Sequence, residues 1–458
     1  MRARRTVRRM RWWLLPLIMT LLVGSTAVGL LSGVATADHF GREAAALTAA
    51  TAAASPAASA TPGPPGRGAP LPPPGQTLAG KYLMTPDELR AAYNVTPLLE
   101  MGLSGAGQTV VVIVSFGSPT LQQDVATFCQ RYGLPPAQLS VLAPLGTTAF
   151  DENDPSMAAW ARETEEDVEV IHAIAPGAKI VVLTSPVDET QGTHGLPQFR
   201  QLEQYAVEHH LGSVISQSWG ASEATLNDPA GRAEVEQWDV FFQRATTQQG
   251  ITFLAASGDH GATDWGDAAM SRFSAAPTTT FPASNPWVTA VGGTTLTRGP
   301  SAFQETAWSG SGGGYSNLFL APSYQQAKPF AGRGVPDIAA AADRATGLGI
   351  YVRGEWRVAV GTSASTPFWA ALTAIANQMA GRPLGFLNPA LYALAQEKRN
   401  AGDFYDITSG NNSYSGHGVS VAGYPAGRGW DAVTGLGTPN AARLLPDLIE
   451  TQLAPAPR

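Results

Sequence analysis

Thr109-Val110-Val111-Val112-Ile113-Val114-Ser115-Phe116-Gly117 contains six β-branched residues in succession and then a small, turn-prone ending. A run without polar alternation suits a strand covered on both faces, as in a parallel sheet. Working outward from it, four runs of the same kind follow. They are Lys179-Ile180-Val181-Val182-Leu183, Gly212-Ser213-Val214-Ile215-Ser216, Ile251-Thr252-Phe253-Leu254-Ala255-Ala256 and Trp287-Val288-Thr289-Ala290-Val291. Helical patterns lie between them at 162–175, 196–210 and 231–249. Upstream, Thr85-Pro86-Asp87-Glu88 predicts a helix start, with Thr85 as N-cap, Pro86 at N1 and Glu88 at N3. Strands alternating with helices predict an α/β fold with a mostly parallel central sheet and right-handed crossovers. Such sheets place their sites beyond the carboxyl ends of the strands.

The chain has 458 residues and is 44% hydrophobic, enough for a large core. Its single cysteine, Cys129, excludes an intrachain disulfide framework and a cysteine-rich zinc site. The net charge is −7, but Arg2, Arg4, Arg5, Arg8, Arg9 and Arg11 stand together at the start. Without those six, 23 basic and 36 acidic residues remain, a net of −13. So acidic a body argues against a nucleic-acid binder.

The arginines precede 26 uncharged residues, Trp12 to Ala37, that close on Ala35-Thr36-Ala37. Residues 1–40 are therefore expected to be a signal peptide or a signal anchor. Either places the remainder outside the cytoplasm, secreted or membrane-anchored. Residues 41–80, rich in alanine and then proline, are expected to form a disordered linker. From about Lys81 to 458 the composition is globular, and that length suits one large enzyme domain.

Four segments can carry chemistry. Gly361-Thr362-Ser363-Ala364-Ser365-Thr366-Pro367 opens a helix. A serine there sits among unpaired N–H groups that suit an oxyanion, and can act as a nucleophile or merely as a cap. None of the seven histidines (39, 172, 194, 209, 210, 260, 417) begins a His-Gly-Thr motif, so the base must be sought elsewhere. Glu163 and Asp167 are i and i+4, on one helix face; two carboxylates that close cannot both ionise easily. Asp259, in Ser257-Gly258-Asp259-His260-Gly261, follows a buried strand and fits either a turn or a protonated oxyanion donor. Asp406 and Asp431, in glycine-rich loops, suit either turns or Ca²⁺.

Together these strings resemble the sedolisin, or serine-carboxyl peptidase, family, which takes in kumamolisin-like and tripeptidyl-peptidase 1-like enzymes. The likeness covers about residues 81–445. It includes Glu163-x-x-x-Asp167 followed by Ala175-Pro176-Gly177-Ala178, Ser218-Trp219-Gly220, Ser257-Gly258-Asp259, Phe281-Pro282-Ala283-Ser284, Val291-Gly292-Gly293-Thr294, Pro336-Asp337 and the Ser363 string. The resemblance implies a subtilisin-like three-layer fold, a monomer, and endo- or tripeptidyl-peptidase action on proteins or peptides at acid pH. It assigns Ser363 as nucleophile, Glu163 as general base, Asp167 as its partner and Asp259 as oxyanion donor. It puts Trp219, with Ser218 and Gly220, at the substrate cleft. It gives one Ca²⁺ the carboxylates of Asp406 and Asp431 and the carbonyls of Ile407, Gly427 and Gly429, within a calcium-binding region at 403–439. Carboxyl groups of ordinary or raised pKa then imply activity peaking below about pH 5 and fading by about pH 7.

Three departures stand out. About 40 low-complexity residues occupy the place of the family's large prodomain. Val114-Ser115-Phe116-Gly117 lacks the acid that often extends the catalytic network there. His260 replaces a commoner serine beside Asp259, where a protonated imidazole would favour the ionised carboxylate. A catalytically inactive homologue, serving as a surface binding protein, is the alternative reading.

Overall fold

The Thr109 run forms strand β1, Thr109–Ser115, buried everywhere but its first residue. A computed structural model describes residues 77–78, 81–299, 302–325, 332–397 and 402–453. The expected leader and almost all of the linker lie outside the described residues. Among those described, no helix is long and apolar enough to cross a membrane.

The helix α1, Pro86–Ala92, begins with the expected capping box between Thr85 and Glu88. The sheet then takes β1, β2 (Gln138–Leu142), β3 (Lys179–Ser185), β4 (Val214–Gln217), β5 (Thr252–Ala256), β6 (Thr289–Arg298), β7 (Phe303–Ala307) and β8 (Ile338–Ala341). Their order is β7-β6-β5-β4-β1-β3-β2, with β8 also pairing to β6. Every pairing is parallel except β6 with β7. β1 lies at the switch point: the chain builds β2 and β3 on one side of it, then crosses to β4 on the other. In a parallel sheet that is where a crevice opens beyond the strand ends.

β2 is, with β7, one of two strands whose sequences give no apolar run. It is an edge strand, largely exposed, and its Gln138-Leu139-Ser140-Val141-Leu142 needs only one dry face. The longer helices that follow are α2 (Leu121–Tyr132), α3 (Pro155–Ile174), α4 (Leu196–Glu208), α5 (Pro229–Gln249), α6 (Thr362–Ala380), α7 (Asn388–Gln396) and α8 (Ala441–Leu453). α3 and α6 pack on each other and on the sheet, while α4 and α5 pack together and cover other parts of it. With Val110 to Val114 at 0% exposure, both faces of the sheet are covered, giving the three layers expected. α3 starts seven residues before the predicted 162, because Asp154 caps it and Pro155 takes the first helical position.

Candidate active site

Helix α3 delivers the acids. Glu163, Glu165, Glu166, Asp167 and Glu169 lie on it within two turns, and all but Glu163 are buried. Spacing by four sets Glu163 and Asp167 side by side. Burial pushes the Glu163 carboxyl well above its ordinary range; the nearby Asp167 and Glu166 charges add to this. Arg162 and a hydrogen bond with the Ser363 side chain pull the other way. Asp167 is raised well above its usual value too, chiefly by burial, against a hydrogen bond from Ser218. Glu163 Oε1 and Asp167 Oδ2 are buried and make no hydrogen bond among the described residues. Such a pair titrates as a unit and keeps one proton long after an exposed carboxyl has lost its own.

Helix α6 delivers the serine. Gly361 is its N-cap with φ 93°, a region that strains any residue with a Cβ. A Cβ there would also overlap the Asp259 carboxylate. Asp259 follows β5 and brings Oδ1 to 2.8 Å from both the backbone N and the Oγ1 of Thr362. The glycine thus lets an acid dock on the first turn, one residue before Ser363. Ser218, just after β4, puts its Oγ 2.6 Å from Asp167 Oδ1 and 3.2 Å from the Ser363 carbonyl oxygen. The strand ends, α3 and the head of α6 therefore gather Glu163, Asp167, Ser218, Asp259 and Ser363 into one place.

The Subtilase family profile matches residues 155–390, from the start of α3 to α7. Kumamolisin of Bacillus sp. (strain MN-32) is 36% identical over 383 residues, which are 80% of this chain and 63% of kumamolisin. Tripeptidyl-peptidase 1 of Rattus norvegicus is 31% identical over 408 residues, 82% of this chain and 66% of that one. The structure of Pseudomonas sedolisin (serine-carboxyl proteinase), solved with two molecules of pseudo-iodotyrostatin, is similar with a TM-score of 0.68 at 28% identity. That likeness covers 81% of this chain and 98% of that one. This chain belongs to the sedolisin family. It spans less than two thirds of the length of the curated relatives named above.

In this sedolisin the Trp219 ring does not stand open to a cleft. It is 4% exposed and packs on Phe199 and Trp238, at centroid distances of 4.8 and 5.7 Å. An indole surrounded by aromatic rings gains more from burial than from a wet groove. Gly220 has Phe281 and Thr280 against it, so a side chain there would collide with the strand-like segment opposite. His260 Nδ1 lies 3.2 Å from Asp264 Oδ1, giving the imidazole a carboxylate partner other than Asp259. At the end of β1, Ser115 Oγ spans to the Val187 carbonyl at 3.0 Å and the Glu189 N–H at 3.1 Å, and so ties down a loop.

Sequence reasoning missed two participants. Glu166 accepts from the Val360 N–H at 2.8 Å and from Arg162 Nη2 at 3.3 Å, fixing the segment that leads into α6. Its carboxyl is pushed up to about 7, mainly by burial and against Arg162. Thr362 is the other, since its N–H and hydroxyl hold Asp259. Glu166 was visible as i+3 from Glu163, whereas the role of Thr362 depends on a contact across 103 residues.

The acidic loops at 403–439 come together as well. Asp406 accepts from the Gly429 N–H, at 3.1 Å to Oδ1, and Asp431 Oδ2 from the Gly427 N–H at 3.0 Å. No hydrogen bond to the carbonyls of Ile407, Gly427 or Gly429 occurs among the described residues. Those residues hold no cluster of three or more His, Cys, Asp or Glu side chains suited to a metal. Two carboxylates and three spare carbonyls on neighbouring loops nevertheless fit a hard, oxygen-loving cation.

Proposed function

We propose that this chain is a serine-carboxyl peptidase that cleaves proteins or peptides through an acyl-enzyme. The observation that carries this is the head of α6. There the Ser363 side chain lies close enough to the Glu163 carboxyl to lower its proton affinity, and Asp259 is held one residue away at Thr362. Glu163 takes the Ser363 proton as the hydroxyl attacks the scissile carbonyl. Asp259, whose Oδ1 accepts from the Thr362 N–H and hydroxyl, hydrogen-bonds when protonated to the developing oxyanion. Collapse of the tetrahedral species releases the amine, to which Glu163 returns its proton. Water then repeats the cycle on the ester.

Two protonation states must coexist, an ionised base and a protonated donor, and rising pH removes the second. Cleavage of a denatured protein, followed from about pH 2.5 to 8, is expected to peak on the acid side and vanish near neutrality. A neutral or alkaline optimum would overturn this reading.

We also propose calcium at Asp406, Asp431, Ile407, Gly427 and Gly429. A bound cation would tie the 406 and 427–431 loops and neutralise the two carboxylates. Chelation should lower the melting temperature, with recovery on adding calcium but not magnesium, by an amount worth ~2–3 kcal/mol if binding is 100-fold below the free ion concentration. Asp431→Asn should abolish the response; a melting curve indifferent to chelator would exclude the site. Delivery outside the cytoplasm rests on the arginine-led uncharged segment at 1–37.

A further inference from the structure

We infer that Ser218 is a positioning residue of the catalytic step, passing the protonation state of Asp167 to the main chain of Ser363. The inference rests on the proposed roles of Ser363, Glu163 and Asp167. In an α-helix the carbonyl of residue i accepts from the N–H of residue i+4. Four residues after Ser363 stands Pro367, inside α6 and without an N–H. The nucleophile's carbonyl therefore lacks its ordinary helical donor, in a region where Thr362, Ala364, Ser365 and Thr366 are all buried. The Ser218 hydroxyl fills that gap at 3.2 Å, and the same oxygen lies 2.6 Å from Asp167 Oδ1.

One hydroxyl carries one hydrogen, so it cannot donate both ways. When Asp167 is ionised, Ser218 donates to it and the Ser363 carbonyl is released. When Asp167 holds the pair's proton, Asp167 donates to Ser218 Oγ, and Ser218 donates on to the Ser363 carbonyl. The second state is the one in which Glu163 is ionised and ready as base. The first turn of α6 is then tied down just when the nucleophile is to be deprotonated. As Glu163 takes the Ser363 proton, the proton on Asp167 keeps that tie through the attack. Glu163 and Glu166 on its own helix and Ser218 from the end of β4 face Asp167, while Arg162 and, from α6, Ser363 act on its partner Glu163. Asp259 acts on this set through Glu166.

The test is a set of kcat and KM profiles against pH, with a peptide substrate, for Ser218→Ala, Ser218→Cys and Ser218→Thr. Loss of the hydroxyl removes a donor to ionised Asp167, so the pair releases its first proton at higher pH. In the alanine and cysteine variants, the acid limb of kcat should move up by about one pH unit. The kcat maximum should fall ~10-fold, with KM nearly unchanged. Threonine, which keeps the hydroxyl, should restore both. The cysteine variant carries the test if alanine at this buried site fails to fold. Profiles of the folded variants that superimpose on the parent's, or a threonine variant as impaired as alanine, would overturn the inference. Ser363→Ala is run alongside: turnover persisting there would sink the proposed nucleophile instead, a separable failure.

Discussion

Ser363→Ala and Glu163→Gln are each expected to lose at least ~10⁴-fold in kcat while folding normally, since each removes one half of a unit that acts together. Their stabilities should diverge. Alanine at 363 removes one half-buried hydroxyl and changes little. Glutamine at 163 removes a carboxyl that burial and two neighbouring acids keep far above its ordinary range, so the variant should be more stable than the parent near neutral pH. Asp259 offers a finer discrimination. Asn can still accept from Thr362 with its carbonyl and donate to an oxyanion with its amide. Asp259→Asn should therefore keep more activity than Asp259→Ala, which should lose ~10²–10³-fold. The asparagine variant should also hold its residual activity to higher pH, because an amide does not ionise. If alanine and asparagine prove equally impaired, with unchanged pH profiles, Asp259 is only a brace for Thr362.

The parallel sheet was legible because its inner strands are dry on both faces, which forces apolar runs such as Thr109–Val114. β2 was invisible because an edge strand faces water and needs no such run. The helix carrying Glu163 and Asp167 was legible from spacing alone, and its true start at Asp154-Pro155 is written in capping chemistry. Contacts made only by folding were not legible. The Thr362 grip on Asp259 joins residues far apart in sequence, and nothing in Ser218-Trp219-Gly220 announces that its serine meets an orphaned carbonyl on α6. The burial of Trp219 has the same origin: its aromatic partners come from α4 and α5.

Stability is expected to fall as pH rises from about 4.5 to 8, opposite to the acid sensitivity of most folded proteins. Glu165 accepts from Ser118 and, at 2.9 Å, from Thr120 Oγ1, yet its carboxyl is still pushed up to about 8, first by burial. Glu166 sits at about 7. Glu169, Glu189 and Glu203 are each fully buried and raised well above their usual value, in every case mainly by burial. In the unfolded chain all of these release protons near pH ~4.3. Between that value and the raised ones, the native state binds more protons than the unfolded state. The slope of unfolding free energy with pH is then negative. Their contribution is complete below about pH 4 and is lost through pH 7 for Glu166 and pH 8 for Glu165. At ~1.4 kcal/mol per pKa unit, the groups together amount to several kcal/mol. Denaturant midpoints measured at half-unit steps should show this decline, and a flat or rising curve from pH 4.5 to 8 would refute it. Glu203 isolates the cause. Both its carboxyl oxygens are buried without a hydrogen-bond partner among the described residues, and it has no role in the proposed chemistry. Glu203→Met should raise stability at pH 7.5, leave it nearly unchanged at pH 4, and leave turnover intact. A protein built this way holds together best where its proposed catalytic acids are correctly protonated, because the same dry packing that raises Glu163 and Asp167 also raises the acids around them.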